Sequence, residues 1–227
     1  MSNRRNKKVN KTEEPKVNLV PKNKGQENYI RTMVENIVTI CDGPAGSGKS
    51  FCCLGLAAEY LLAGKVTKIV VARPTVEASP KGLGFLKGSL EEKLNPYVYP
   101  AIEHLKKFLG TMRYRDYYSA GMITFEAWEY MRGRTYDNSF MILEEAQNCT
   151  LEQLKMFITR IGENSRIVIN GDAEQSDLIK KNSEYQTDLE YLVSKIEKKQ
   201  IKNFGVQKMN DNDIVRNPII SDFLQIF

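Results

Sequence analysis

Eight residues, Gly43-Pro44-Ala45-Gly46-Ser47-Gly48-Lys49-Ser50, carry the clearest chemistry in this 227-residue chain. Their spacing is GxxxxGK[ST], the pattern of a loop that turns successive backbone N–H groups inward around a β-phosphate. Lys49 is then placed to reach the β/γ oxygens, and the Ser50 hydroxyl to help hold Mg²⁺. Phe51 follows as the last residue of the candidate nucleotide-binding run. The apolar stretch Ile37 to Cys41 before the loop reads as a strand. Ser50 to Ala63 reads as a helix, whose N-terminal amides and dipole face the anion.

Two further apolar runs end in polar groups. Ser139-Phe140-Met141-Ile142-Leu143 leads into Glu144-Glu145-Ala146-Gln147. Beside a phosphate loop, such an acidic pair suits phosphoryl transfer to water: Glu144 organises Mg²⁺ through water, and Glu145 polarises the attacking water. The bland alternative is a pair of surface or helix-capping acids. Arg166-Ile167-Val168-Ile169-Asn170 leads into Gly171-Asp172-Ala173-Glu174-Gln175, where Gln175 is a candidate to hydrogen-bond the γ-phosphate or the attacking water. Arg216, in Asp213-Ile214-Val215-Arg216-Asn217-Pro218, is a candidate to neutralise charge on the γ-phosphate, against the rival reading of a surface arginine. Arg132 and Arg134 bracket Gly133 and suit either a phosphate clamp, on nucleotide or nucleic acid, or pairing with local carboxylates. Arg73, at the end of the apolar strand Lys68–Arg73, is a third candidate for such a contact. The segment Lys87 to Tyr99 mixes Lys87 and Lys93 with Tyr97 and Tyr99, aromatic rings able to stack bases, although packing is the favoured role for them. His104 is the only histidine and has no companion at ligand spacing, so no catalytic role is expected of it.

The elements that position these groups alternate between short apolar strands and amphipathic helices. Gln26 to Asn36 and 97–109 have helical spacing of apolar residues. Thr150 and Gln153 form a capping-box pattern that opens a helix through Leu154, Phe157, Ile158 and Ile161, with Gly162 marking its end. A last strand is expected over Ile201 to Val206, with a helix-like tail from Asp213. This alternation predicts a parallel α/β sheet, in which ligands gather at the C-terminal strand ends, where the phosphate loop, Arg73, the acidic pair and the turn with Gln175 fall.

The net charge of +5 is located mainly at one end. Residues 1–24 hold eight Lys/Arg and two Glu, a net of +6, which leaves 25 basic and 26 acidic side chains, a net of −1, over 25–227. The expectation is a disordered basic tail over 1–20 and one domain over 21–227. The tail suits nonspecific polyphosphate contact or plain solvation. Cys41, Cys52, Cys53 and Cys149 lack paired spacing and read as small buried residues. No run is long and apolar enough for a membrane span, and the polar N-terminus lacks the apolar core of a signal peptide, so a cytoplasmic location is expected.

Together, the blocks GPAGSGKS, ARPTVEASPKGLGFLKG, EYMRGRTYDNSFMILEEAQN, TLEQLKMFITRIG, INGDAEQ and DIVRNP resemble the PhoH-like ATPases, whose core is similar to the first motor domain of superfamily 1 helicases. The resemblance runs from about residue 20 to 220. It implies a RecA-like, three-layer α/β/α phosphate-loop fold, ATP with Mg²⁺, and a link to RNA or other nucleic acid. It also implies that Gln26 matches the glutamine that reads the adenine edge. Lys49, Ser50, Glu144, Glu145, Gln175 and Arg216 match the family's phosphate loop, acidic pair, sensor and late arginine. Two positions depart from the family pattern: Glu144 stands where Asp is usual, and Ser50 where Thr is. Some relatives carry a preceding nuclease domain, which the short basic tail cannot supply. A superfamily 1 motor closes ATP between two RecA-like domains, so a homo-oligomer, as a ring or otherwise, with helicase-like activity in that assembly, is the corresponding expectation. Other readings of the same loop are a nucleotide-switched binding protein with little turnover and a small-molecule kinase.

Overall fold

The computed structural model describes residues 17–74, 90–176 and 184–215. Within them six strands form one all-parallel sheet: β1 (Val38–Asp42), β2 (Lys68–Arg73), β3 (Ile123–Ala127), β4 (Ser139–Leu143), β5 (Arg166–Gly171) and β6 (Phe204–Lys208). The order across the sheet is β3-β2-β4-β5-β1-β6. Six helices accompany it: α1 (Lys24–Glu35), α2 (Lys49–Leu62), α3 (Leu90–Leu109), α4 (Thr111–Ser119), α5 (Leu151–Ile158) and α6 (Asp188–Lys199).

The period-2 geometry of a strand sorts side chains between two apolar layers. Phe140 and Ile142 of β4 and Val168 of β5 pack with α1, α2, α3 and α4 on one face. Met141 and Leu143, with Ile167 and Ile169, pack with α5 and α6 on the other. Covered on both sides, β4 and β5 carry unbroken apolar runs, as strands of a parallel sheet do. The fold is therefore the expected three-layer α/β/α phosphate-loop architecture. Val17 and Leu19 pack against the α1/α2 layer.

The chain leaves β1 through α2 and reaches β2 beyond β4 and β5, which insert between them. That gap is a topological switch point, where a crevice opens at the C-terminal strand ends. Among the described residues, no helix is long and apolar enough to cross a membrane.

Several boundaries differ from the sequence expectations. The capping box of Thr150 and Gln153 is present, but α5 stops at Ile158 rather than near Gly162. Gly162 instead lies against the chain entering β4: its N–H donates to Tyr136 O at 2.9 Å, and a Cβ there would fall 2.7 Å from that oxygen. The last strand begins at Phe204, not Ile201, because Gln200 and Asn203 adopt left-handed backbone angles that delay pairing. α3 begins at Leu90, ahead of the expected 97. The helix-like tail beyond residue 215, Arg216 with it, residues 1–16 of the basic tail, and the side chains of Lys87, Lys93 and Tyr97 lie outside the described residues.

Candidate nucleotide site

The switch-point crevice is a cleft of about 450 Å³ at the C-terminal ends of β1, β4 and β5. The phosphate loop forms its floor. Gly46 and Gly48 have φ of 87° and 89°, in the left-handed region that glycine adopts without penalty. At Gly48 a Cβ would also lie 2.5 Å from the Gln26 amide nitrogen, so backbone angle and packing both demand glycine. The Lys49 ammonium donates to the carbonyls of Gly43 (2.5 Å) and Pro44 (3.0 Å), within the arch it closes.

Three supports hold the loop. Gln26, buried on α1, donates from Nε2 to Ser47 O (2.9 Å), and its Oε1 accepts from the Lys22 N–H (2.9 Å). Asp172, after β5, accepts from the Ala45 N–H (3.0 Å). The segment after β6 crosses the third side: Met209 packs on Gly43, and the Val215 N–H donates to Gly46 O (3.0 Å).

The acidic pair divides between two directions. Glu144 follows Ile142 onto the α1/α2 face. Its Oε2 accepts from the Ser50 hydroxyl (2.9 Å) and its Oε1 from the Asn170 amide (3.2 Å). Burial pushes this carboxyl above its ordinary range, against the two hydrogen bonds that favour its charged form. Hydroxyl and carboxylate oxygens side by side at the phosphate loop are the hard donor set that suits Mg²⁺, with phosphate oxygens and water to complete the shell.

Glu145 has φ 57° and ψ 40°, a left-handed conformation that costs a non-glycine residue about 1–2 kcal/mol. Its carboxylate accepts from Gln147 Nε2 (2.7 Å) and lies 3.7 Å from the Arg73 guanidinium. Gln147 in turn accepts from the Asp172 N–H (3.0 Å), which joins the β4 and β5 ends. Gln175, exposed on the short turn after β5, lines the same cleft.

The structure thus brings Gln26, Lys49, Ser50, Phe51, Glu144, Glu145 and Gln175 to one cleft. Arg73 stands beside it, paired to Glu145. Arg134 pairs with Glu126 (2.8 Å), the local-carboxylate alternative, and Arg132 is exposed next to it on the same turn. Side chains not singled out from the sequence also take part. Gln147, Asn170 and Asp172 line the cleft beside the loop, and His104 with Lys107 lines one wall from α3. The imidazole of His104 meets Phe51 edge-on at 5.7 Å, and burial together with the Lys107 charge pushes its pKa down. Their positions on the chain carried no local signal for the cleft, because only the crossover topology brings α3 over α2. The four cysteines are buried, as expected.

Asp42 at the β1 end offers a pH test. Burial, then the neighbouring Asp172, raises its pKa, and the Ala173 N–H and Lys49 offset this only in part. A carboxyl with a raised folded pKa contributes stability that is full below its unfolded pKa of about 3.9 and lost as pH rises through the folded value. Asp42→Asn keeps an acceptor for the Ala173 N–H without the charge. It should melt higher than wild type at pH 8, by about 2–4 °C per kcal/mol recovered, with the gap closing below pH ~4. Thermal melts across that pH range check this; a gap that widens on acidification would count against it.

A family model described as PhoH-like protein matches residues 18–227. A PhoH-like protein of Bacillus subtilis (strain 168) is 36% identical over 206 residues, covering 91% of this chain and 63% of that protein. One from Synechocystis sp. is 36% identical over 202 residues, 89% of this chain and 60% of that protein. Protein PhoH of Escherichia coli (strain K12) is 39% identical over 162 residues, 70% of this chain and 46% of that protein. The chain spans about three-fifths of the length of the first two of these curated relatives. Among solved structures, a large terminase from a thermophilic bacteriophage superposes with a TM-score of 0.54 at 12% identity, over 92% of this chain and 51% of that one, a likeness of fold alone. With the phosphate loop, acidic pair and sheet order in place and a family match over nearly the whole chain, this protein belongs to the PhoH-like family.

Proposed function

We propose that the chain binds ATP in the switch-point cleft and hydrolyses it with water as acceptor. The observation that carries this reading is the convergence of the phosphate loop, the Ser50–Glu144 oxygen pair and Glu145 on one cleft. The loop amides and Lys49 hold the β- and γ-phosphates. Ser50 and Glu144 hold Mg²⁺, which when bound neutralises phosphate charge. Glu145 polarises the attacking water, and Gln175 contacts the γ-phosphate or that water. Beyond its bonds to Ser47 and Lys22, Gln26 keeps one Nε2 hydrogen and one Oε1 lone pair, which leaves an amide edge for adenine.

In this reading turnover is coupled to RNA or another nucleic acid. A neighbouring copy completes the site, with Arg216 as the candidate for the added charge, and 21–227 works as the catalytic domain. The test is phosphate release from ATP with and without single-stranded RNA and DNA, together with light scattering in the presence and absence of ATP. Stimulation by single strands and an assembly larger than a monomer are expected. Release unaffected by either nucleic acid would remove the coupling, and a monomer in both conditions would remove the completed site.

One observation favours a second reading, a nucleotide-switched binding protein. Glu145 is engaged by Gln147 and Arg73, so its carboxylate must exchange partners to reach water. Tight ATP binding without turnover, with or without nucleic acid, would select it.

A further inference from the structure

The nucleotide site has a buried support that its motif residues do not explain. Glu144 has one methylene more than an aspartate would, hence one more rotor to fix before its carboxylate can meet a cation. Ser50 holds one oxygen from the cleft side. The other oxygen is held from the β5 side by Asn170 Nδ2 at 3.2 Å, the shorter of its two contacts, the Cys53 thiol donating to it at 3.8 Å; Nδ2 also lies 3.2 Å from Cys53 Sγ. Asn170 is 1% exposed and is set by the β1–β5 register, opposite Cys41, on the face that α1 and α2 cover.

A carboxamide can flip. Turned over, Asn170 would aim Oδ1 at the Glu144 carboxylate and repel it. Tyr29, fully buried on α1, disfavours this: its hydroxyl is 2.5 Å from Oδ1 and donates to it, a bond the flip would break. Burial raises the phenol pKa, which keeps that proton in place. α1 is the same helix whose Gln26 holds the Ser47 carbonyl of the phosphate loop, so one helix steadies both the loop and the carboxylate.

We infer that Asn170, oriented by Tyr29, is a positioning residue that aims the Glu144 carboxylate for Mg²⁺-linked nucleotide binding. This rests on the nucleotide reading above. Its effect is confined to the metal-linked part of binding, because neither side chain belongs to the phosphate loop. Partners of metal ligands at this remove typically change metal affinity 10–100-fold when lost.

The experiment measures the affinity of a fluorescent ATP analogue in EDTA and through a Mg²⁺ titration for wild type, Tyr29→Phe, Asn170→Leu and the double variant. Tyr29→Phe removes one oxygen and keeps the ring that packs in the core, so it stays informative should Asn170→Leu fold poorly. Wild type should bind the nucleotide more tightly as Mg²⁺ is added. In Asn170→Leu the Mg²⁺ midpoint should rise about tenfold or more, and in Tyr29→Phe by a smaller factor, with little change in EDTA. The double variant should resemble Asn170→Leu, because the two groups act in series. An unchanged midpoint in Tyr29→Phe, or equal weakening with and without Mg²⁺, would overturn the positioning role. Failure of wild type to bind the analogue in either condition would overturn the nucleotide reading itself, and the positioning role with it.

Discussion

Glu145→Gln should lower phosphate release from ATP by about 10²–10⁴-fold, the range for loss of a positioned proton acceptor, while ATP affinity stays close to wild type. The physical reason is that Gln keeps the volume and one acceptor oxygen but cannot draw the proton from water. The phosphate cradle is untouched, because the loop is held by Gln26, Asp172 and Val215 and none of these contacts involves Glu145. The left-handed backbone at this position should survive as well, since it is fixed by the turn and the Asn148 N–H to Glu145 O bond rather than by the charge. Single-turnover phosphate release with a parallel binding titration makes the comparison. Turnover equal to wild type would falsify the assignment of Glu145 as the group that activates water.

Lys49→Ala should fail one step earlier. In the proposed reading its ammonium supplies the positive charge at the β/γ position, and it ties the Gly43 and Pro44 carbonyls together. Removing a preorganised charged donor of this kind costs about 10²–10³-fold in rate, and here the binding titration should weaken alongside it. Losing two intraloop hydrogen bonds, each worth about 1 kcal/mol net, should also lower the melting temperature of the unliganded protein. Together the two variants separate capture from chemistry: one loses both, the other only the second. A Lys49→Ala protein that binds ATP as wild type does would remove the loop from the nucleotide reading.

The centre of the fold was legible in the sequence and its margins were not. β4 and β5 are buried on both faces, so Phe140 to Leu143 and Ile167 to Ile169 read as continuous apolar runs with polar ends. β3 escaped because it is an edge strand: Thr124, Phe125 and Glu126 are half-exposed, and the run has neither an unbroken apolar character nor clean alternation. α4 buries only Tyr114 and left a weak periodic signal, whereas α6 carries Leu189, Val193 and Ile196 at helical spacing among charged residues.

The site divides the same way. Gly43 to Ser50 and Glu144-Glu145 announce themselves through local spacing, because each motif works as a contiguous unit. Asn170, Tyr29 and His104 act through contacts between distant parts of the chain, at a separation of 141 residues for Tyr29 and Asn170, which no short window contains. Glu144 itself was readable as an acid at the end of an apolar strand, but the side chains that hold its carboxylate were visible only once the strands were in register.

The crossing of residues 209–215 over the phosphate loop has a mechanical meaning. The Gly46 carbonyl accepts from the Val215 N–H, and Asp213 sits against Gly25 at the start of α1 and accepts from the Asn210 N–H. A rotation of the peptide that carries the Gly46 carbonyl must therefore either break this bond or drag the outgoing backbone with it. Val215 is thus geared to the loop, and the backbone leaving β6 is the shaft to which any turn of the Gly46 peptide is passed.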